Sequence, residues 1–424
     1  MKAVGRGTLS SGAAIAVLSI IFFAWGGLTS LNDVLIPHLK AVFEMNYART
    51  MLIQFTFFST YLVMSIPAGR VVAHLGYKPS MVAGLMVAAA GALAFYPAAT
   101  VPSYPLFLLA LFVLASGITL LQVSANPYIS LIGEPRGASS RLTLAQAVNS
   151  LGHTLSPWLI GPLILSVAVL SGAALAQLPP PQQEAYRIAQ AQSVRLPYLG
   201  VAAGLLALAS LVYLLRLPPL TEATERADPR HHSFGEVLRQ RHVRLGVVAI
   251  FVYVGAEVTI GSFMINYIAA LRIGNIDAAS ATHYVSYYWG SAMIGRFIGS
   301  LLLRRIAPRS LLCAYALAAI ALLASTILSL GALAMWSVIA VGFFNSIMFP
   351  TLFTLSIEGL GPMTARASSL LVMAIFGGAV IPQLQGFLAD GIGVQRAFVL
   401  PALCYAYIAW YALSGREGSR LERA

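Results

Sequence analysis

The stretch that decides the fold class is AAIAVLSIIFFAWGGLTSLNDVLIPHLK, residues 13–40, in which a long apolar run continues without a break into a segment carrying Asn32 and Asp33. About 20 apolar residues in an α-helix cross the roughly 30 Å of membrane hydrocarbon, where the backbone must satisfy its own hydrogen bonds. A carboxylate at that depth costs about 2.5 to 3.5 kcal/mol on insertion scales. Asp33 is therefore expected to face a cavity, a partner or an ion.

The composition of the whole chain agrees with this local pattern. Of 424 residues, 58% are hydrophobic and 9% are charged, and the mean hydropathy is +0.81. An average soluble domain is about 25% charged. We predict an all-α integral membrane protein with twelve spans at residues 12–38, 48–73, 79–98, 103–130, 141–169, 194–216, 243–270, 280–304, 309–328, 331–357, 365–389 and 394–415.

The spans are predicted to form two halves of six helices. The polar stretch 217–242 separates residues 1–216 from residues 243–424, and it is too short to fold as a domain. The halves also resemble each other, since PAGRVVAHLGYKPS (67–80) and IGRFIGSLLLRRIAPRS (294–310) occupy matching positions. We interpret Gly69, Arg70 and Arg296 as parts of a gating motif at the cytoplasmic helix ends. Duplicated six-helix halves are typical of secondary transporters.

The net charge of +12 is explained by topology. Basic residues fall in short runs between apolar segments, which argues against binding to nucleic acid. With the N-terminus inside, 20 of the 26 Lys and Arg residues lie on the cytoplasmic side. This asymmetry predicts a multi-pass protein of the cell inner membrane with both termini in the cytoplasm. The lipid bilayer is its expected environment, and a monomer is the expected state.

Polar residues within the spans predict a binding cavity. Amides donate and accept hydrogen bonds and a carboxylate accepts two, which suits a small neutral sugar. Aromatic rings supply flat apolar surfaces for the sugar ring. Hydrogen bonding between helices remains an alternative role for each amide. The candidate sugar-binding residues are Asn32, Gln122, Asn126, Gln146, Asn149, Asn345, Phe349 and Trp25, and Glu257 is a second carboxylate at membrane depth.

Six motifs in order resemble the fucose, galactose and hexose symporter family of the major facilitator superfamily, over nearly the whole chain. They are LNDVLIP (31–37), IPAGRVVAHLGYKPS (66–80), LLQVSANPYISLIG (120–133), SSRLTLAQAVNSLG (139–152), YVGAEV (253–258) and FNSIMFPTLFTLSI (344–357). The resemblance implies that Asp33 is the protonatable Asp of span 1 and that Gln146 and Asn149 are the sugar-contacting pair of span 5.

Two positions depart from the fucose pattern. Gln122 replaces a protonatable Glu in span 4, and Phe349 replaces a Tyr that contacts sugar in span 10. These departures resemble the glucose and galactose branch, which includes sodium-driven members. Since Gln cannot titrate, Asp33 is expected to handle the coupling ion, together with Glu257. The ion is either H⁺ or Na⁺, and for Na⁺ Asp33 would be a direct ligand.

The predicted function is secondary active, cation-coupled symport of a neutral hexose such as glucose or galactose by alternating access. An L-fucose:proton symporter and an uncoupled hexose facilitator remain alternatives. A polytopic membrane enzyme is disfavoured, because the sequence has no HExxH, GxSxG, phosphate-binding loop or Cys/His cluster. Cys313 and Cys404 lie in apolar spans, and no cofactor besides the coupling ion is expected.

Overall fold

The computed structural model describes residues 8–43, 47–101, 103–164, 175, 177–220, 233–270 and 278–414. Within these ranges the regular structure is helical. A number of side chains inside the helices lie outside the description, among them Asn32 and Asp33, although the helix itself runs through both residues.

The described helices follow the predicted spans closely. They are α1 (Ser11–Phe43), α2 (Tyr47–Leu75), α3 (Tyr77–Thr100), α4 (Tyr104–Leu131), α5 (Ala138–Leu159), α6 (Gly161–Ile164), α7 (Pro180–Ser193), α8 (Arg195–Leu214), α9 (Phe234–Arg239), α10 (Arg241–Ala270), α11 (Ala278–Leu302), α12 (Pro308–Leu328), α13 (Gly331–Asn345), α14 (Met348–Ile357), α15 (Thr364–Met373), α16 (Gly377–Ile392), α17 (Val394–Ala397) and α18 (Val399–Ser414).

Ten segments of the described chain are long and apolar enough to cross a membrane. The predicted spans 5 and 8 fall on α5 and α11, which lie outside those ten. Polar side chains such as Gln146 and Asn149 lower the hydropathy of α5. Large apolar side chains such as Trp158, Leu328 and Phe387 are exposed, as expected for helices that face lipid. The predicted all-α membrane fold is confirmed.

The chain divides into two compact units. The first unit contains residues Met1–Ala125 and Val148–Pro219, and the second contains Asn126–Ala147 and Leu220–Ala424. The segment 126–147, which includes the end of α4 and the start of α5, therefore belongs to the second unit. The partition into halves at 1–216 and 243–424 stays a prediction.

Glycines let helices approach each other closely in both units. In the first unit, a Cβ added at Gly152 of α5 would overlap the backbone carbonyl of Phe23 in α1. In the second unit, a Cβ added at Gly377 of α16 would overlap the backbone carbonyl of Phe251 in α10. Small residues at helix interfaces are a common source of packing in membranes, where no hydrophobic force draws the helices together. Each unit thus contains a close contact between a glycine of one helix and a backbone carbonyl of another.

The predicted span 10 is interrupted in the middle. Helix α13 ends at Asn345 and α14 begins at Met348, with a turn between them. Pro350 lies in the first turn of α14, where the missing N–H is tolerated. Broken helices leave backbone groups free at membrane depth, and these groups need partners or a cavity.

Candidate functional site

In the first unit, Asn149 joins α5 to α1. Its amide Nδ2 donates a hydrogen bond of 2.8 Å to the backbone oxygen of Phe22, and a Cβ added at Gly26 would overlap the backbone oxygen of Asn149. The glycine therefore permits the close approach that brings this amide to α1. One donor of the Asn149 side chain is used in this contact, and the amide has further hydrogen-bonding capacity.

Gln122 lies on α4 and contacts α2. Its Nε2 donates to the hydroxyl of Tyr61 at 3.0 Å, and both side chains are buried. Trp25, on α1, is 4% exposed and its ring centroid lies 4.1 Å from that of Phe22. The two candidate residues are thus held in place by neighbours, as expected of a preorganised site.

Asn126 and Gln146 belong to the segment that groups with the second unit. Asn126 lies one helical turn after Gln122 on α4, is fully buried, and has neither amide atom hydrogen-bonded in the structure. An unpaired buried polar group costs about 1–3 kcal/mol. Such an amide is suited to a solute or a water molecule. Gln146 is half-buried on α5.

Glu257 and Arg296 form an ion pair in the second unit. The guanidinium Nη2 of Arg296 on α11 lies 3.3 Å from Oε1 of Glu257 on α10, and the side chains are 14% and 12% exposed, respectively. The structure thus brings together two residues to which the sequence assigned separate roles. Because each charge offsets the other, the pair has no net charge at membrane depth.

Asn345 is the centre of a buried hydrogen-bond network beside this pair. Its Oδ1 accepts from Tyr405 at 2.6 Å, and its Nδ2 donates to the hydroxyl of Tyr288 at 2.7 Å. The hydroxyl of Tyr253 donates to the backbone oxygen of Asn345 at 2.9 Å, which satisfies a carbonyl at the break in span 10. Tyr288 also donates to the backbone oxygen of Glu257 at 3.2 Å.

The remaining candidate residues lie in varied surroundings. Phe349 is half-buried on α14, with its ring centroid 6.0 Å from that of Phe353. Gly69 is buried and Arg70 exposed near the end of α2. The side chains of Asn32 and Asp33 lie outside the described residues, and so do any ligands that Asp33 would share with an ion. In the part of the chain that is described, no three His, Cys, Asp or Glu side chains cluster as metal ligands.

Two residues of these networks were missed in the sequence. Tyr61 and Tyr405 are each 2% exposed or less and bind amides of the candidate set. Both lie in apolar helices, where an isolated Tyr gives no signal that separates it from a packing residue. Gln385 is also fully buried, and neither of its amide atoms is hydrogen-bonded within the structure.

The family model for the Major Facilitator Superfamily matches residues 16–382. The chain belongs to the major facilitator superfamily. Among its relatives, the glucose/galactose transporter of Brucella abortus is 48% identical over 406 residues, covering 96% of this chain and 95% of the relative. The L-fucose-proton symporter of Escherichia coli is 36% identical over 403 residues, covering 94% of this chain and 92% of the relative.

This major facilitator is also similar to a solved structure. A crystal structure of the E. coli fucose:proton symporter superposes with a TM-score of 0.88 at 36% identity, covering 95% of this chain and 98% of the other. The family resemblance inferred from the motifs is therefore confirmed.

Proposed function

We propose that this protein is a secondary active transporter that couples uptake of a neutral hexose, glucose or galactose, to the entry of a cation. The similarity to the Brucella glucose/galactose transporter extends over nearly the full length of both chains. It is higher than the similarity to the E. coli L-fucose-proton symporter. The replacement of a titratable residue by Gln122 and of Tyr by Phe349 supports the glucose and galactose branch.

The proposed sugar site is built from amides. Gln122, Asn126, Gln146 and Asn149 come from two helices, α4 and α5, and Asn32 and Trp25 come from α1. The unpaired amide of Asn126 carries this assignment, because burial of an unused donor and acceptor is costly unless a polar solute or water binds there. For Asn345 we propose a positioning role at the break in span 10, since both atoms of its amide already bind tyrosine hydroxyls. Phe349 keeps the proposed sugar-binding role.

The proposed coupling residue is Asp33. Glu257 already has a counter-charge in Arg296 at 3.3 Å, whereas binding of a cation at Asp33 would neutralise a carboxylate at membrane depth. Neutralisation removes the desolvation penalty and makes the loaded carrier able to reorient. We assign Glu257 a supporting role, in which it contributes to coupling only when Arg296 is released. The proton is the favoured ion because of the similarity to a proton symporter, and Na⁺ bound at Asp33 is the alternative.

The proposed architecture is a monomer of two six-helix halves, 1–216 and 243–424, with both termini in the cytoplasm. The matching contacts of Gly152 with Phe23 and of Gly377 with Phe251 support this duplication, because they join the first and fifth helices of each half. Transport in such carriers proceeds by alternating access.

The test is uptake of radiolabelled D-glucose into proteoliposomes under an inward proton gradient or an inward Na⁺ gradient. We expect accumulation above equilibrium with one gradient, and its loss in Asp33→Asn with exchange of labelled sugar retained. Asp390→Asn is the matched control, since it removes an exposed carboxylate at the end of α16 and should accumulate sugar normally.

The other outcomes would refute the role of Asp33 or indicate a different kind of carrier. Accumulation in Asp33→Asn would refute the coupling role, and equilibration without accumulation would indicate a facilitator. Uptake of L-fucose without uptake of glucose would indicate the fucose branch.

A further inference from the structure

A basic cavity opens in the second unit at the predicted cytoplasmic ends of the helices. Its volume is about 850 Å³, and its walls are the turn between α4 and α5, the turn between α11 and α12, and the end of α14. Four arginines line it, Arg136, Arg304, Arg305 and Arg309, against a single carboxylate from Glu358. We call this feature the basic cavity.

The four guanidinium groups are unpaired within the part of the chain that the structure describes. Across the described ranges, none of them makes an ion pair or a side-chain hydrogen bond. Arg141, close by, is different, because its guanidinium donates to the backbone oxygens of Ile129, Ser130 and Glu134 at 3.2, 2.7 and 2.8 Å. The arginines of the basic cavity thus retain their donors and their charge for a ligand.

One helix also begins at the cavity wall. Helix α12 begins at Pro308 after Ala307, which provides no side-chain cap. The first N–H groups of a helix lack intrahelical partners and carry the positive end of its dipole. Together with the arginines, these groups favour an anion that accepts several hydrogen bonds.

Topology explains why arginines are numerous at cytoplasmic helix ends, but it does not require four of them to line one concave cavity with a single carboxylate. Guanidinium groups bind phosphate oxygens through paired, charge-assisted hydrogen bonds. We propose that the basic cavity binds a phosphate-bearing anion, supplied either by an anionic phospholipid headgroup or by a soluble phosphate compound.

The bound anion would hold together segments that transport must separate, an inference that rests on the proposed function. The hydroxyls of Ser139 and Thr354 lie 2.6 Å apart, and Ser140 donates to the backbone oxygen of Ser300 at 2.6 Å. In the proposed architecture the α4–α5 turn belongs to the first half and the other walls belong to the second. An anion across them therefore stabilises one conformation and slows alternating access.

The first experiment measures binding with no sugar and no ion gradient, so that it does not depend on the proposed function. The full chain in lipid-free detergent is heated with sodium pyrophosphate or with NaCl at matched ionic strength. The combined variant Arg136→Gln, Arg304→Gln and Arg305→Gln is compared with the wild type. Its matched control is Arg239→Gln, Arg241→Gln and Arg244→Gln, three exposed arginines outside the cavity. A second arm measures Tm of the same proteins in nanodiscs of phosphatidylcholine with or without phosphatidylglycerol.

We expect the anion to raise Tm by about 2 to 4 °C in the wild type and the control. The glutamine variant should lose this rise, with affinity at least tenfold weaker. A variant with lysine at the same three positions keeps the positive charge but lacks the planar guanidinium group, so it should keep part of the rise in Tm. A rise with pyrophosphate identifies a soluble anion, and a rise with phosphatidylglycerol alone identifies a lipid headgroup. No rise in Tm with pyrophosphate or phosphatidylglycerol, or an equal rise in the glutamine variant, would refute the proposed site.

The second experiment encloses pyrophosphate in proteoliposomes and selects carriers whose cytoplasmic face is inside. Sugar uptake should slow several-fold in the wild type and remain unchanged in the glutamine variant. Unchanged wild-type uptake at a concentration that saturates the cavity would overturn the conformational role.

Discussion

The ion pair of Glu257 and Arg296 gives the most direct test of the second unit. Replacement of Arg296 by Gln leaves a carboxylate without a counter-charge among fully buried tyrosines. Breaking a buried pair costs about 3 to 5 kcal/mol. The separation is 3.3 Å and about an eighth of each side chain is exposed, so we expect the low end of that range, about 3 kcal/mol. This corresponds to a roughly hundredfold loss in the folding equilibrium constant.

The assay is reversible unfolding in SDS for Arg296→Gln, Glu257→Gln and the double variant. The double variant carries two neutral amides, which bind each other without an unpaired charge, so it should be more stable than the sum of the two single losses predicts. A double-mutant cycle measures this coupling directly. Additive losses would show that the two charges do not interact, and would refute the proposal that Arg296 neutralises Glu257. The same proposal predicts that Glu257→Gln still accumulates sugar, in contrast to Asp33→Asn.

Three further predictions concern packing and hydrogen bonds in the second unit. Tyr405→Phe should lower the free energy of unfolding by about 1–3 kcal/mol, because the buried Asn345 oxygen loses its 2.6 Å donor. Tyr407→Phe on the same helix should lower it less, since that hydroxyl is half-buried and lies 3.2 Å from its acceptor. Unfolding in SDS compares the two variants. Gly377→Ala should lower Tm, because the added Cβ overlaps the backbone carbonyl of Phe251. Gly290→Ala should leave Tm unchanged or raise it, since open space surrounds that position. Equal changes in Tm would contradict the close approach at Gly377. Ser139→Ala should cost about 0.5–1.5 kcal/mol by losing its contact to a threonine hydroxyl, and unchanged unfolding would show that this contact adds nothing.

The sequence by itself determined the class of protein and most of its helices. Long apolar runs have few physical solutions in hydrocarbon, since the backbone must bond within each segment, and helices follow from that constraint. The same reasoning identified the candidate polar residues, because burial of an amide or a carboxylate at membrane depth is costly unless the group has a partner, a ligand or a cavity. The motifs then identified the family, which the family model and the relatives confirm.

Only the tertiary structure decided which polar groups already have partners. Glu257 and Arg296 are 39 positions apart in the chain, and Asn345 and Tyr405 are 60 apart, so neither helical periodicity nor spacing connects them. Their pairing depends on how separate helices pack, and it changes the interpretation of Glu257 from a free carboxylate to one with a counter-charge. Conversely, Asn126 looks like Gln122 in the sequence, but it has no hydrogen-bond partner in the structure, whereas Gln122 binds Tyr61. The sequence gives the chemical type of each side chain. Whether a polar side chain has a hydrogen-bond or ion-pair partner depends on the neighbours that the fold brings close to it.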